Sequence, residues 1–168
     1  ALSLSNDEDE IFDMALKLRP PVLHVSGPHF KADKSFREKL RKLLPNTRLM
    51  HVVAVTDLEH MEEAVNEALR LQDVADILIL DTGAPQAIGA VGKSHDWNVS
   101  KRIVEVSKVP VILAGGLSPD NVAEAVAFVK PWGVDSFNKT NRKLPDGRLE
   151  KDLDKVKAFC REAKEAEG

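Results

Sequence analysis

Hydrophobic positions along the chain follow two alternating periods. Short apolar runs at residues 22–25, 49–55, 75–80, 109–113 and 133–137, with a weaker alternating stretch at 1–5, read as strands. Between them, apolar residues recur at helical spacing. They are Ile11, Met14, Ala15 and Leu18 in 7–18, and Phe36, Leu40, Leu43 and Leu44 in 33–44. Met61, Ala64, Val65, Ala68 and Leu69 follow a capping Asp57, and a further helix spans 97–107. Val156, Phe159, Cys160 and Ala163 mark a closing helix over 153–163. Pro20 and Pro21 stop the first helix. Six strand–helix units in strict alternation predict an α/β fold with a parallel sheet and helices outside it. A (βα) barrel and an open doubly wound sheet both satisfy this pattern. In either, the chemistry gathers at the C-terminal ends of the strands. Ser26-Gly27, Thr56-Asp57, Asp81-Thr82, Gly115-Gly116 and Asn138-Lys139 occupy those ends.

The stretch Val109-Pro-Val-Ile-Leu-Ala-Gly-Gly-Leu117 carries the most information. Its strand feeds Gly115 and Gly116 into a sharp turn with no Cβ to obstruct a ligand. Ser118 and Pro119 then read as the N-cap and first residue of a helix. Free N–H groups and a positive dipole end in that place suit a phosphate. The same residues also fit an ordinary βα turn that binds nothing.

A length of 168 residues fits one domain, 1–168, and 43% apolar content supports a core. A net charge of −3 argues against nucleic acid, with one local exception at Lys139, Arg142, Lys143 and Arg148. No apolar run approaches the length needed to span a membrane. The acidic start lacks the basic residues of a signal peptide, and the lone Cys160 fits a reducing cytoplasm. Cys160 falls on an apolar helix stripe, which predicts burial. His29, His60 and His95 lack metal-ligand spacing, so no metal is expected. His24 and His51 sit within strands and read as core residues.

From about Val22 onward the chain resembles the phosphoribosylanthranilate isomerase family of tryptophan biosynthesis. The matching pieces are Leu80-Asp81-Thr82, Gly92-Lys93 with Asp96-Trp97, Leu113-Ala114-Gly115-Gly116-Leu117 and Pro119-Asp120-Asn121-Val122. Gly133-Val134-Asp135 and Pro145-Asp146-Gly147 ahead of Asp152 complete the set, in the family's order. The resemblance implies a (βα)8 TIM barrel and an Amadori rearrangement of N-(5-phosphoribosyl)anthranilate, with no cofactor and no metal. It implies that Asp81 is the general acid that opens the furanose, and such groups contribute about 10² to 10⁴-fold. That role needs a carboxyl pKa raised by burial or by a neighbouring carboxylate. Asp81 is equally suited to capping its own turn. The resemblance further implies phosphate contacts at Gly115, Gly116, Asn138 and Lys139, and substrate contacts at Asp135 and Lys93.

Two departures accompany the match. The family's first strand carries a Cys-Gly whose cysteine is the base, and an arginine follows its second strand; neither has a counterpart here. Phe137-Asn138-Lys139 stands where the family has a Ser-Ser-Gly phosphate turn. Six βα units of an expected eight are present, which makes 1–168 an incomplete barrel. Three forms satisfy that: a fragment, a short homologue that forms a homodimer through open edges, or a closed six-stranded barrel. The fragment is the favoured expectation, since the chain starts without methionine in a strand-like segment. The alternative function is a related phosphosugar-binding barrel with another substrate or no catalysis.

Overall fold

The computed structural model describes residues 1–84, 87–88 and 95–166. Its sheet is built from β1 (Leu2–Ser3), β2 (Val22–Val25), β3 (Arg48–Val55), β4 (Ile77–Ala84), β6 (Val111–Leu113) and β7 (Gly133–Val134). These six strands lie side by side in chain order, every neighbouring pair parallel. A short β5 (Ala87–Ile88) pairs antiparallel with the end of β4. Helices α1 (Glu8–Leu18), α2 (Lys34–Leu43), α3 (Met61–Leu71), α4 (Trp97–Val106), α5 (Val122–Val129) and α6 (Leu153–Glu165) provide the crossovers and close the chain. Asp7, Asp33, Asp96 and Asp152 accept backbone N–H bonds as N-caps of α1, α2, α4 and α6, so each helix starts where an aspartate satisfies its first donors.

Strand alternation splits the apolar residues between two faces. Leu49, Val53 and Val55 of β3 and Leu78 and Leu80 of β4 pack beneath the helices with Phe36, Leu40 and Ile103. The opposite face holds a smaller cluster, Val52, Ile79 and Ala114, flanked by half-buried Met50 and Ile112. Leu2, level with His24 in the β1–β2 register, is left 53% exposed. Among the described residues β1 pairs only with β2 and β7 only with β6. The closed six-stranded barrel is therefore not formed, and both sheet edges stay open.

Several boundaries differ from the sequence expectation. β4 continues through Asp81, Thr82 and Gly83 because the ladder to β3 continues, with Ala54 opposite Asp81 and Val55 opposite Thr82. β6 starts at Val111, after Pro110, which has no N–H to give to a ladder. β7 ends at Val134; the Asp135 N–H still donates to Leu113 O (2.9 Å), and Ser136 then turns its hydroxyl onto Leu117 O (2.7 Å). Ser118 does not cap α5. It organises a preceding turn, its Oγ accepting from Asp120 N and its carbonyl from Val122 N, so α5 starts at Val122. Cys160 is exposed, because only Phe159 and Ala163 of α6 are buried. A hairpin of β8 (Asn141–Lys143) and β9 (Leu149–Lys151) precedes α6, closed by Gly147 at φ +87°.

Candidate functional site

The C-terminal ends of β4, β6 and β7 lie side by side because β6 pairs with β4 on one side and with β7 on the other. Asp81 shares its strand face with Ile79, on the side away from the helices, and is half-buried. Its Oδ1 accepts a hydrogen bond from Thr82 N at 2.8 Å. Burial raises the Asp81 pKa, the Thr82 amide lowers it, and the Asp135 carboxylate raises it further. Residues 81–83 continue the strand rather than turning, so Asp81 caps no turn; the Thr82 amide orients its carboxyl, and burial keeps its proton on towards higher pH.

Asp135 lies just beyond β7, on the far side of β6 from Asp81. Its surroundings raise its own carboxyl by desolvation, and Lys151 partly offsets that. Gly115 and Gly116 both take left-handed backbone angles, φ +83° and +72°. At Gly115 a side chain would collide with Thr82 Oγ1, Thr82 N and His95 Nδ1. The space that a Gly115 side chain would take is filled here by Thr82 and His95, so the missing Cβ at that position serves packing. Asn121 braces the turn, its Oδ1 accepting from Ser118 N (2.8 Å) and its Nδ2 donating to Gly116 O (3.3 Å).

The turn after β7 runs through a 3-10 segment, Asn138–Thr140. The Ser136–Leu117 bond ties it to the turn after β6. Lys139 is exposed on this segment. Lys151 reaches back from β9, donating to Phe137 O (2.8 Å) and Thr140 Oγ1 (3.0 Å), with its ammonium 4.9 Å from the Phe137 ring centroid. No sequence pattern marks Lys151, because its position depends on the β8–β9 hairpin. Lys93 lies outside the described residues.

His24 shares the inner face with Leu2, its Nε2 buried without a hydrogen-bond partner among the described residues. His51 faces the helices, where Ala32 N donates to its Nε2 (3.2 Å) and its Nδ1 lies 2.9 Å from Val52 O. Its core reading holds. His95, which the sequence leaves without a role, is buried between Thr82 and Ser100. A contact between a strand end, a helix and a turn leaves no local signal in the chain.

Comparison with known proteins places this arrangement. The profile of the family N-(5'phosphoribosyl)anthranilate (PRA) isomerase matches residues 7–161. A Haloferax volcanii protein named N-(5'-phosphoribosyl)anthranilate isomerase is 36% identical over 167 residues, covering 99% of this chain and 68% of the relative. One of the same name from Methanocella arvoryzae is 33% identical over 155 residues, 92% of this chain and 67% of the relative. The solved N-(5'-phosphoribosyl)anthranilate isomerase of Pyrococcus furiosus superposes with a TM-score of 0.74 at 30% identity, covering 98% of this chain and 72% of that one. The chain thus spans about two thirds of the length of its relatives. It belongs to the N-(5'-phosphoribosyl)anthranilate isomerase family.

Proposed function

We propose that residues 1–168 form one barrel-type unit that acts on N-(5'-phosphoribosyl)anthranilate in tryptophan biosynthesis, isomerising the aminoaldose to an aminoketose. The observation that carries this reading is Asp81: a half-buried carboxyl of raised pKa, one strand away from a left-handed Gly-Gly turn. Asp81 donates its proton to the furanose ring oxygen, and the ring opens to a Schiff base. Gly115 and Gly116 hold the phosphate from one side, and Asn138 and Lys139 from the other. Lys151, fastened to the same turn, adds positive charge. Asp135 and Lys93 contact the substrate. The rearrangement is internal to the substrate and needs no cofactor and no metal. The chain acts in the cytoplasm, a location that its biosynthetic pathway supports.

Proton removal from C2 requires a base, and the family's cysteine has no counterpart at this mouth, since Cys160 lies on α6. That observation favours a second reading, a phosphosugar-binding unit that does no chemistry by itself. The open edges of β1 and β7 offer pairing to a second copy of the chain. Loss of anthranilate fluorescence on conversion tests the first reading. Turnover that Asp81→Asn abolishes supports it; phosphosugar binding without turnover selects the second. No turnover and no binding removes both.

A further inference from the structure

Among the described residues His95 is the one buried imidazole in contact with the site, and the chemistry proposed above does not use it. It is 7% exposed. Its Nε2 lies 2.5 Å from Ser100 Oγ in α4, and its Nδ1 lies 3.2 Å from Thr82 Oγ1 at the end of β4. Gly115 completes the cluster, since a Cβ there would come within 2.9 Å of His95 Nδ1 and equally close to Thr82 N. Thr82 N is the same amide that donates to Asp81 Oδ1. One imidazole thus touches the strand that bears the acid, the turn that bears the glycines and the helix behind both.

We propose that His95 is a positioning residue, a neutral bridge from Ser100 to Thr82 that fixes Asp81 and the Gly115 turn relative to each other. Burial pushes its pKa down to about 4, against a smaller opposing effect of Asp96. The ring therefore stays neutral at working pH, with one nitrogen donating and the other accepting. Both hydroxyls can donate or accept, so a neutral ring satisfies all three groups. Ser100 is fully buried, and losing the imidazole leaves its hydroxyl short of a partner, which costs more than the bond itself gains.

The inference rests on reading Asp81 and Gly115 as one site. Its test uses inorganic phosphate and the Asp81 carboxyl rather than turnover, so it can fail while isomerase activity stands, and the reverse. In the full chain, phosphate binding is followed at the Gly115 and Gly116 amides, and Asp81 is titrated by carboxyl carbon NMR. His95→Phe removes both bonds and is expected to weaken phosphate binding about fivefold to tenfold. It also loosens the Thr82 amide that holds Asp81 Oδ1, which raises its titration midpoint. His95→Asn places an amide where Nδ1 stood, keeps the Thr82 bond without the Ser100 bond and restores both readouts in part. Thr82→Val and Ser100→Ala, which remove one bond each, reproduce part of the His95→Phe effect and carry the test if that variant does not fold. Unchanged phosphate affinity and an unchanged Asp81 midpoint in these variants overturn the proposal. A His95→Asn variant as impaired as His95→Phe, beside a normal Thr82→Val, overturns it too.

Discussion

Asp135 stands across the end of β6 from Asp81, and its negative charge adds to burial in raising the Asp81 pKa. Two carboxyls are thus set to share the mouth unequally. Asp135 has Lys151 to stabilise its charge, while Asp81 has burial and one backbone amide. Replacing Asp135 by Asn removes the like charge and leaves the desolvation. The Asp81 midpoint should therefore fall only part of the way to the ordinary 3.8. Carboxyl carbon NMR on the variant reads this directly; a midpoint that rises or stays fixed contradicts it.

Gly115 is irreplaceable for two separate reasons, its φ of +83° and the atoms of Thr82 and His95 where a Cβ would stand. Gly115→Ala should destabilise the chain by about 2 kcal/mol or more, from left-handed strain and overpacking together. Gly147→Ala, also left-handed at φ +87° but with nothing near its Cβ position, should cost less. Denaturant midpoints of the two variants decide the order.

Stability should depend on pH through buried histidines. His24 and His95 are each pushed down to about 4 from an ordinary 6.5, by burial first and, for His24, by the charges of His51 and the N-terminus. Below pH 6.5 the unfolded chain takes up protons that the native chain refuses until near pH 4. Their contribution is therefore complete above pH 6.5 and is lost as pH falls towards 4, at about 1.4 kcal/mol per pH unit for each histidine. Asp81 and Asp135 act with the opposite sign. Their raised pKa values cost stability as pH rises from 3.8 through their folded values, which blunts the lower end of the window. Urea unfolding at pH 7 and pH 5 tests this. His95→Asn should lose less stability than the parent between the two, and an equal loss contradicts the assignment.

The two lysines near the turn after β7 should behave differently. Both are exposed, but Lys151 is held by two hydrogen bonds and the Phe137 ring. A positioned charge acts on an anion more strongly than a solvated one. Lys151→Met should weaken ribose 5-phosphate binding more than Lys139→Met does, as calorimetric titration would show. The reverse order returns the phosphate contact to Lys139.

The strand–helix alternation was readable because each strand is a dense apolar run and each helix carries a stripe. Asp81 and the Gly115-Gly116 turn were readable because both sit where strands end. What escaped depends on contacts distant in sequence. β4 extends past Leu80 only because β3 has residues left to pair with it. Ser118 heads a turn rather than a helix because Asn121 takes its amide. Cys160 carries the helical spacing of Phe159 and Ala163, yet α6 buries a stripe too narrow to include it. Lys151 and His95 enter the site only once a hairpin and a helix have folded against it.

The most direct test of a shared mouth is a titration of the labelled chain with ribose 5-phosphate, following the Gly115 and Gly116 amides and the Asp81 carboxyl carbon together. All three should move with one common saturation curve. Glycine shifts that saturate while Asp81 stays still, or no saturable shift at any of them, would contradict the account.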